Sequence, residues 1–241
     1  DLARIRGLAE ELSPLAAAFY RNFDPVGRAD FHLNVVRPAG PQADAPGELS
    51  GLIHLKDCRA TARWFPLPVD GISGSLRLTP GRLDILDFKG RHEDAPVTAS
   101  GWALNPGHQA EVHLLIDARS LRLSPAVREA LARGFPAHLP IYDSLHPRGR
   151  VDLRVLFHRP PGPDMPFEAA TDILLRGVEI CYDGFPYLMS RGEGTVRIAA
   201  GRADIDVSGA HDKAQLTVQG SIEPGHHGPA VRLRIRGADV P

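Results

Sequence analysis

Residues 65–85 read FPLPVDGISGSLRLTPGRLDI, and residues 185–205 read FPYLMSRGEGTVRIAAGRADI. The two stretches share a Phe-Pro pair at the start, a glycine at positions 74 and 194, and the pattern Gly-Arg-x-Asp-Ile at the end, all at one offset of 120 residues. So many identical residues at a single sequence offset are not expected by chance. Because self-similarity at a fixed period marks repeated structural units, these stretches predict two tandem copies of one fold.

The match extends in both directions from this stretch. Residues 90–116 match residues 209–235 at an offset of 119, and residues 25–38 match residues 147–160 at an offset of 122. The offset changes only in loops, where insertions are tolerated. We therefore expect residues 25–146 to form one copy and residues 147–241 to form a second, truncated copy. Residues 1–24 are expected to close a preceding copy, so that the chain is a segment of a longer protein.

Apolar and polar residues alternate along most of each copy. Val112, Leu114 and Ile116 fall on one parity, and residues 151–157 show the same period of two. This period predicts strands with one apolar face. Gly81 and Gly201 are expected to sit in tight turns, where glycine supplies a positive φ. In the first copy we expect strands near residues 27–37, 50–63, 73–79, 82–89, 95–104 and 110–117, with equivalents in the second.

Glycine, proline and serine mark the remaining local structure. Residues 124–134 read SPAVREALARG, which predicts one short helix with an N-cap serine and proline at its first position. The Ser-Pro pair at 13–14 predicts a matching helix over residues 13–23. Glycines inside strands, at Gly101 and Gly220, predict a bulge or bend that curves the sheet. The Phe-Pro pairs are expected to be rigid corners with a buried ring, and residues 71–74 to lead into a hairpin.

The composition excludes several classes of protein. Lys and Arg total 28 and Asp and Glu total 29, so no concentrated basic face is available for nucleic acid. Gly at 24 and Pro at 22 are typical of a chain with many short strands and turns. The sequence contains neither a signal peptide nor a run of about 18 apolar residues that could span a membrane.

Candidate catalytic and metal-binding residues are few. His92 and His211 each precede an acidic residue, but both occupy the same turn of the two copies, which favours a structural role. His226-His227 lacks spaced Cys, Asp or Glu partners, and we assign it no role. Cys58 and Cys181 support no zinc site, although a single disulfide between them stays open. Because no nucleophile elbow, phosphate loop or dinucleotide fingerprint is present, we expect no enzyme activity, no cofactor and no metal.

The repeated residues resemble a known family. The motif consists of residues 65–69 with Gly71-Ile72-Ser73-Gly74, the Gly-Arg-x-Asp-Ile pattern at 81–85, the segment 90–101, and Leu121-Arg122-Leu123-Ser124-Pro125 followed by Gly149-Arg150-Val151-Asp152. On these residues the chain resembles the AsmA-like superfamily, the bacterial envelope proteins of TamB and YhdP type. The second copy departs from the motif, because Met189-Ser190-Arg191 stands where the first copy has Val69 to Gly71.

The resemblance implies a mainly β fold in which two tandem repeats build a curved antiparallel sheet, an open β-groove, with short helices between repeats. It also implies a non-enzymatic lipid-transfer protein of the bacterial periplasm, anchored in the inner membrane by regions outside this chain, which binds phospholipid or other acyl lipid between inner and outer membrane. The residues expected to line the groove are Leu76, Leu78, Ile85, Val97, Ala99, Val112, Leu114, Ile116, Val196, Ile198, Ile205, Leu216, Val218, Val231, Leu233 and Ile235.

Two alternatives stay open from the residues alone. The same apolar row could pack against a facing sheet, which would make the chain a structural or protein-binding β scaffold of the envelope with a self-filled core. A carbohydrate-active enzyme on a β-sandwich would need a close pair of carboxylates in a cleft, and no such pair is visible.

Overall fold

The structure is a computed structural model that describes residues 2, 6, 7, 20–36, 48–105, 109–223 and 230–238. Alternating sequence builds one antiparallel sheet of twelve strands, in which every strand pairs with its neighbours in sequence. The expectation of a mainly β, open antiparallel sheet is confirmed. The strands are β1 Val26–Val36, β2 Glu48–Ala62, β3 Phe65–Thr79, β4 Arg82–His92, β5 Ala95–Leu104, β6 Glu111–Arg122, β7 Arg148–Arg159, β8 Glu168–Tyr182, β9 Phe185–Ala199, β10 Arg202–His211, β11 Ala214–Glu223 and β12 Ala230–Ala238.

Three strands are longer than the alternation predicts. Strand β3 begins at residue 65 rather than 73, β4 continues to 92 rather than 89, and β6 continues to 122 rather than 117. The register shifts inside each of these strands, at residues with positive φ: Gly71, Asp87 and Ser120. Because a β-bulge inserts one residue, it breaks the period of two without ending the strand.

The turns are partly as expected. Two-residue turns at residues 80–81 and 200–201 are confirmed, with Gly81 at φ 70° and Gly201 at φ 78°. The corner expected at Phe65-Pro66 is wrong: the turn lies at 63–64, Phe65 pairs with Ala62 at the start of β3, and its half-buried ring lies 6.1 Å from that of Phe135. The expected hairpin lead-in at 71–74 is also wrong, since these residues continue β3.

The expected bulges at the two strand glycines are not found there. The nearest register shift to Gly101 lies in the neighbouring strand β4, between Ile85 and Phe88, and the pairing around Gly220 is unbroken. Both glycines instead permit close approach of the next strand. A Cβ at Gly101 would lie 2.1 Å from the carbonyl oxygen of His113, and one at Gly220 would lie 1.9 Å from that of Arg232.

Helical structure joins β6 to β7. Helix α1, Pro125–Gly134, confirms the prediction, although the Ser124 side chain makes no capping hydrogen bond. A 3₁₀ turn at Pro136–His138 and a second helix, α2 at Leu139–Leu145, follow it and were not expected. Of the helix expected over 13–23, residues 20–23 are described and are helical, as are residues 2, 6 and 7, while 13–19 lie outside the described part of the chain.

Candidate functional site

One face of the sheet is apolar across all twelve strands. In an antiparallel pair, residues directly opposite each other point to the same side. Leu76 of β3 lies opposite Ile85 of β4, which lies opposite Gly101 of β5, and the row continues through Leu114 of β6 to Phe157 of β7. Further rows of this kind extend the same side to both edge strands. We call this side the apolar face.

All sixteen residues expected to line a groove lie on the apolar face. Eight of these residues lie in β3 to β6 and eight in β9 to β12, and the strand registers place each group on one side of the sheet. The pairings through β7 and β8 show that the two groups share the same side. The buried ones are Leu76, Leu78 and Leu114; the partly buried ones are Ile85, Val97, Ala99, Val112, Ile116, Val196, Ile198, Ile205, Leu216 and Val218; the exposed ones are Val231, Leu233 and Ile235.

Four other strands contribute to the apolar face and were missing from the expected lining. The sixteen expected residues were those with a sequence match between β3–β6 and β9–β12. Residues of β1, β2, β7 and β8 were therefore not included. Period-two alternation within these strands carried the missing signal. Their side chains on the apolar face include Phe31, Leu33, Val35, Ile53, Leu55, Val151, Leu153, Val155, Phe157, Ile173 and Leu175.

Helical segments cover one end of the apolar face. Val127 of α1 packs into the cluster of buried side chains that includes Ala95 and Val151. Leu2 and Tyr20 pack in the same way over a second cluster with Leu55, Cys58 and Ile72, and the Tyr20 hydroxyl donates a hydrogen bond of 3.0 Å to the Leu2 carbonyl oxygen. These contacts lie near the ends of the strands where β2 turns into β3 and β6 leads into α1.

Away from these helical segments the apolar face of the described strands is mostly half-buried, with Leu76, Leu78 and Leu114 buried, and it is most accessible at the two edge strands. On the edge strand β1, Phe31 is 56% exposed, and on the edge strand β12, Ile235 is 61% exposed. The twelve described strands all belong to one sheet, so no second sheet among them packs over this face. A row of this kind has the chemistry to bury an apolar ligand.

The opposite side of the sheet is polar and carries ion pairs between neighbouring strands. Arg154 of β7 pairs with Asp117 of β6 at 2.7 Å, and Arg197 of β9 pairs with Asp172 of β8 at 3.2 Å. Such exposed pairs each contribute little to stability but favour contact with water. We call this side the polar face. The two faces therefore differ in chemistry, although Leu115 and Leu156 are apolar side chains on the polar face.

The two histidines at matching turns contact backbone carbonyl groups. His92, which is buried, has Nδ1 2.8 Å from the Pro68 carbonyl oxygen, and His211 has Nδ1 2.9 Å from the Leu188 carbonyl oxygen. An Nδ1–H that donates to a carbonyl fixes the ring in place. The same contact in two corresponding turns agrees with a structural role. His226-His227 lies outside the described residues.

The two cysteines are separate thiols in this structure. Cys58 in β2 is 2% exposed and donates a hydrogen bond of 3.1 Å from Sγ to the Arg28 carbonyl oxygen. Cys181 lies in β8 and is partly buried. The disulfide that the sequence left open is therefore not formed here.

One cluster of side chains on the polar face was not anticipated from the sequence. Glu111, His113 and His158 bring one possible metal-ligating atom each to within 4.8 Å of the others. Glu111 and His113 are two residues apart in β6, but His158 follows 45 residues later, in β7. The spacing alone gives no metal motif, and only the register of β6 against β7 brings the three together.

No protein-family model, curated protein or solved structure matches this chain. Among the described helices, none has the length and apolar character needed to cross a bilayer.

Proposed function

We propose that this chain is a non-enzymatic lipid-binding segment of an AsmA-like cell-envelope protein, and that its apolar face holds acyl chains of phospholipid or another lipid. The observation that carries the proposal is the apolar face itself, which runs over twelve strands of one sheet and stays exposed at both edges. Adjacent strands are about 4.8 Å apart, so the face extends roughly 50 Å along the sheet.

The energetics support an acyl chain as the ligand. Burial of one CH₂ group contributes about 0.8 kcal/mol, so an acyl chain of about 16 carbons gains up to about 10 kcal/mol where the apolar face encloses it fully. This is comparable with the free energy that holds the same chain in a bilayer. Movement between a membrane and the apolar face is then nearly balanced in free energy, which suits transfer between two membranes.

The polar face supports an aqueous surrounding for the other side of the sheet. Some of its Arg–Asp pairs are well exposed, as in the pair of Arg197 and Asp172, whose side chains are 74% and 60% exposed. A sheet with one wetted side and one apolar side fits a protein that crosses the bacterial periplasm while shielding lipid from water. Membrane anchoring in this proposal belongs to parts of the protein outside this chain.

Native mass spectrometry of the protein purified from bacterial membranes tests the proposal. We expect bound phospholipid on the wild-type chain and a marked loss of it in Val155→Asn, which places an amide on the apolar face. The matched control is Leu156→Asn, the next residue along β7, whose 44% exposed side chain points to the polar face. It should retain lipid at the wild-type level.

The same experiment separates lipid binding from a scaffold role. Co-purification of a protein partner without lipid, with the partner lost in Val155→Asn, would favour a protein-binding scaffold. Equal lipid retention in both variants would contradict the proposal.

A further inference from the structure

A row of aromatic rings crosses the polar face where β5, β6 and β7 pair. Trp102, His113 and His158 lie directly opposite one another in register. The ring centroids of Trp102 and His113 are 4.3 Å apart, and those of His113 and His158 are 4.4 Å apart. Carboxylates flank the row: Glu111 Oε1 is 3.5 Å from His113 Nε2, and Glu168 Oε2 is 3.8 Å from His158 Nδ1.

We propose that Glu111, His113 and His158 bind a divalent transition-metal ion, for which Zn²⁺ is the best chemical fit. Each residue offers one ligand atom, the three atoms lie within 4.8 Å of one another, and all three residues are partly buried. Two imidazoles and one carboxylate form a donor set that suits zinc, and hard ions such as Mg²⁺ and Ca²⁺ prefer oxygen ligands alone.

Small side-chain movements suffice to close the site. Zinc binds imidazole nitrogen at about 2.0–2.1 Å in a tetrahedron, which places ligand atoms about 3.4 Å apart. The three ligand atoms lie within 4.8 Å of one another, so each distance between them must shorten by about 1.4 Å at most. Torsions of the Glu111 side chain and of the two rings provide that movement without moving the strands. The fourth position of the tetrahedron would be left to water.

The neighbours of the cluster orient its histidines. Trp102 stacks on the side of His113 away from His158 and limits rotation of that ring. Glu168, opposite His158 in register, lies beside Nδ1, where a carboxylate can accept the Nδ1–H and leave Nε2 to the metal. Metal-binding histidines commonly have such a carboxylate partner.

The location would let the ion join β6 to β7. The helical connection between β6 and β7 joins them near Arg122 and Arg148, whereas Glu111, His113 and His158 lie at the opposite end of the same pair, where no turn links the two strands. A metal ion bound at that end would link β6 to β7 where no loop connects the two strands. Zinc binding is independent of lipid binding, because the cluster and the apolar face lie on opposite sides of the sheet.

Calorimetric titration of the untagged, chelator-treated chain with Zn²⁺ tests the proposal. We expect about one ion per chain with micromolar affinity, and a rise in unfolding temperature as the zinc concentration exceeds Kd. His113→Ala and His158→Ala should each weaken binding by at least about 100-fold, and Glu168→Gln by about 10-fold as an outer partner.

Two controls keep the result decisive. His54→Ala removes another polar-face histidine, whose Nδ1 lies 2.8 Å from the Ser75 hydroxyl, and should bind zinc like the wild type. Circular dichroism verifies that each variant is folded. Absence of stoichiometric binding in the wild type, or unchanged affinity in the His113→Ala, His158→Ala double variant, would overturn the proposal. Loss of binding in a His226→Ala, His227→Ala variant alone would assign the ion to that histidine pair and would also overturn the proposal.

Discussion

The carboxylate of Asp152 in β7 accepts a hydrogen bond of 2.8 Å from the backbone N–H of Ser120 in β6. Ser120 has a φ of 53° and lies at the bulge between Ala118 and Leu121. Arg150 donates a hydrogen bond of 2.7 Å to the Ser120 carbonyl oxygen. The Gly-Arg-x-Asp motif at 149–152 therefore holds both backbone groups of a bulge residue in the preceding strand.

Asp152→Ala should destabilise the fold by about 1–3 kcal/mol, because it leaves the Ser120 N–H and the Arg176 guanidinium without their carboxylate acceptor. Urea denaturation measures the change. The control is Asp172→Ala, which removes an ion pair whose carboxylate is 60% exposed and should cost less than about 1 kcal/mol. Equal losses in the two variants would contradict the role given to the bulge.

Stability should fall on acidification. Hydrogen bonds from Ser120 and then Arg176 hold the pKa of Asp152 below its ordinary value, and those from Arg150 and Arg128 do the same to the pKa of Asp94 and of Asp143. A folded pKa below the unfolded one means that the unfolded chain binds more protons near pH 4. The stabilisation is therefore present above about pH 5 and is lost as the pH falls through the folded pKa values.

The urea midpoint, measured from pH 7 down to pH 3, checks this dependence. It should stay level to about pH 5 and then decrease. The decrease should be smaller in Asp152→Ala, which lacks one of the responding groups. A midpoint that is unchanged or higher at pH 3 would contradict the assignment.

Arg191→Gly should stabilise the protein by about 0.5–1 kcal/mol. Arg191 has a φ of 52°, and Gly71, which stands 120 residues earlier in the sequence, has a φ of 62°. The left-handed conformation costs a non-glycine residue about 1–2 kcal/mol, which exceeds the entropic cost of a glycine there. The reverse change, Gly71→Arg, should destabilise by a similar amount. Thermal unfolding of both variants measures the effect, and a less stable Arg191→Gly protein would refute it.

Gly101→Ala should destabilise the sheet by about 2 kcal/mol or more. Its new Cβ would lie 2.1 Å from the His113 carbonyl oxygen and 2.9 Å from the Leu114 Cα, so β6 must shift. Ser100→Ala, one residue earlier and exposed, should change stability by less than about 0.5 kcal/mol. Comparable unfolding free energies for the two variants would show that the strands approach less closely.

The period-two pattern predicted most of the fold but not its irregularities. It placed β5 at 95–104 as the structure has it, because that strand contains no residue of positive φ. It ended β4 and β6 early, because Asp87 and Ser120 adopt left-handed conformations that their residue types do not announce. Helix α2 was missed because His138 stands at its N-cap in place of serine, threonine, aspartate or asparagine, so Pro140 was the one start signal. The tandem repeat and its boundaries stay predictions.

The sequence predicted the apolar face more fully than it predicted the chemistry of the polar face. Alternate residues of a strand point to the same side of the sheet. The sixteen lining residues could therefore be predicted from the local sequence, without knowledge of which strands pair. The Glu111, His113 and His158 cluster needed the β6–β7 register, which places His113 opposite His158. Helix α1 lies between those strands in sequence, and no local pattern predicts that register.

Site-specific photocrosslinking tests whether the apolar face contacts lipid acyl chains. Ile116 and Leu115 are adjacent apolar residues of β6, both partly buried, with Ile116 on the apolar face and Leu115 on the polar face. With p-benzoylphenylalanine introduced at each position in living bacteria, we expect a crosslinked phospholipid adduct at Ile116 and none at Leu115. Equal labelling at both positions, or labelling at neither, would contradict the account of an apolar face that holds lipid.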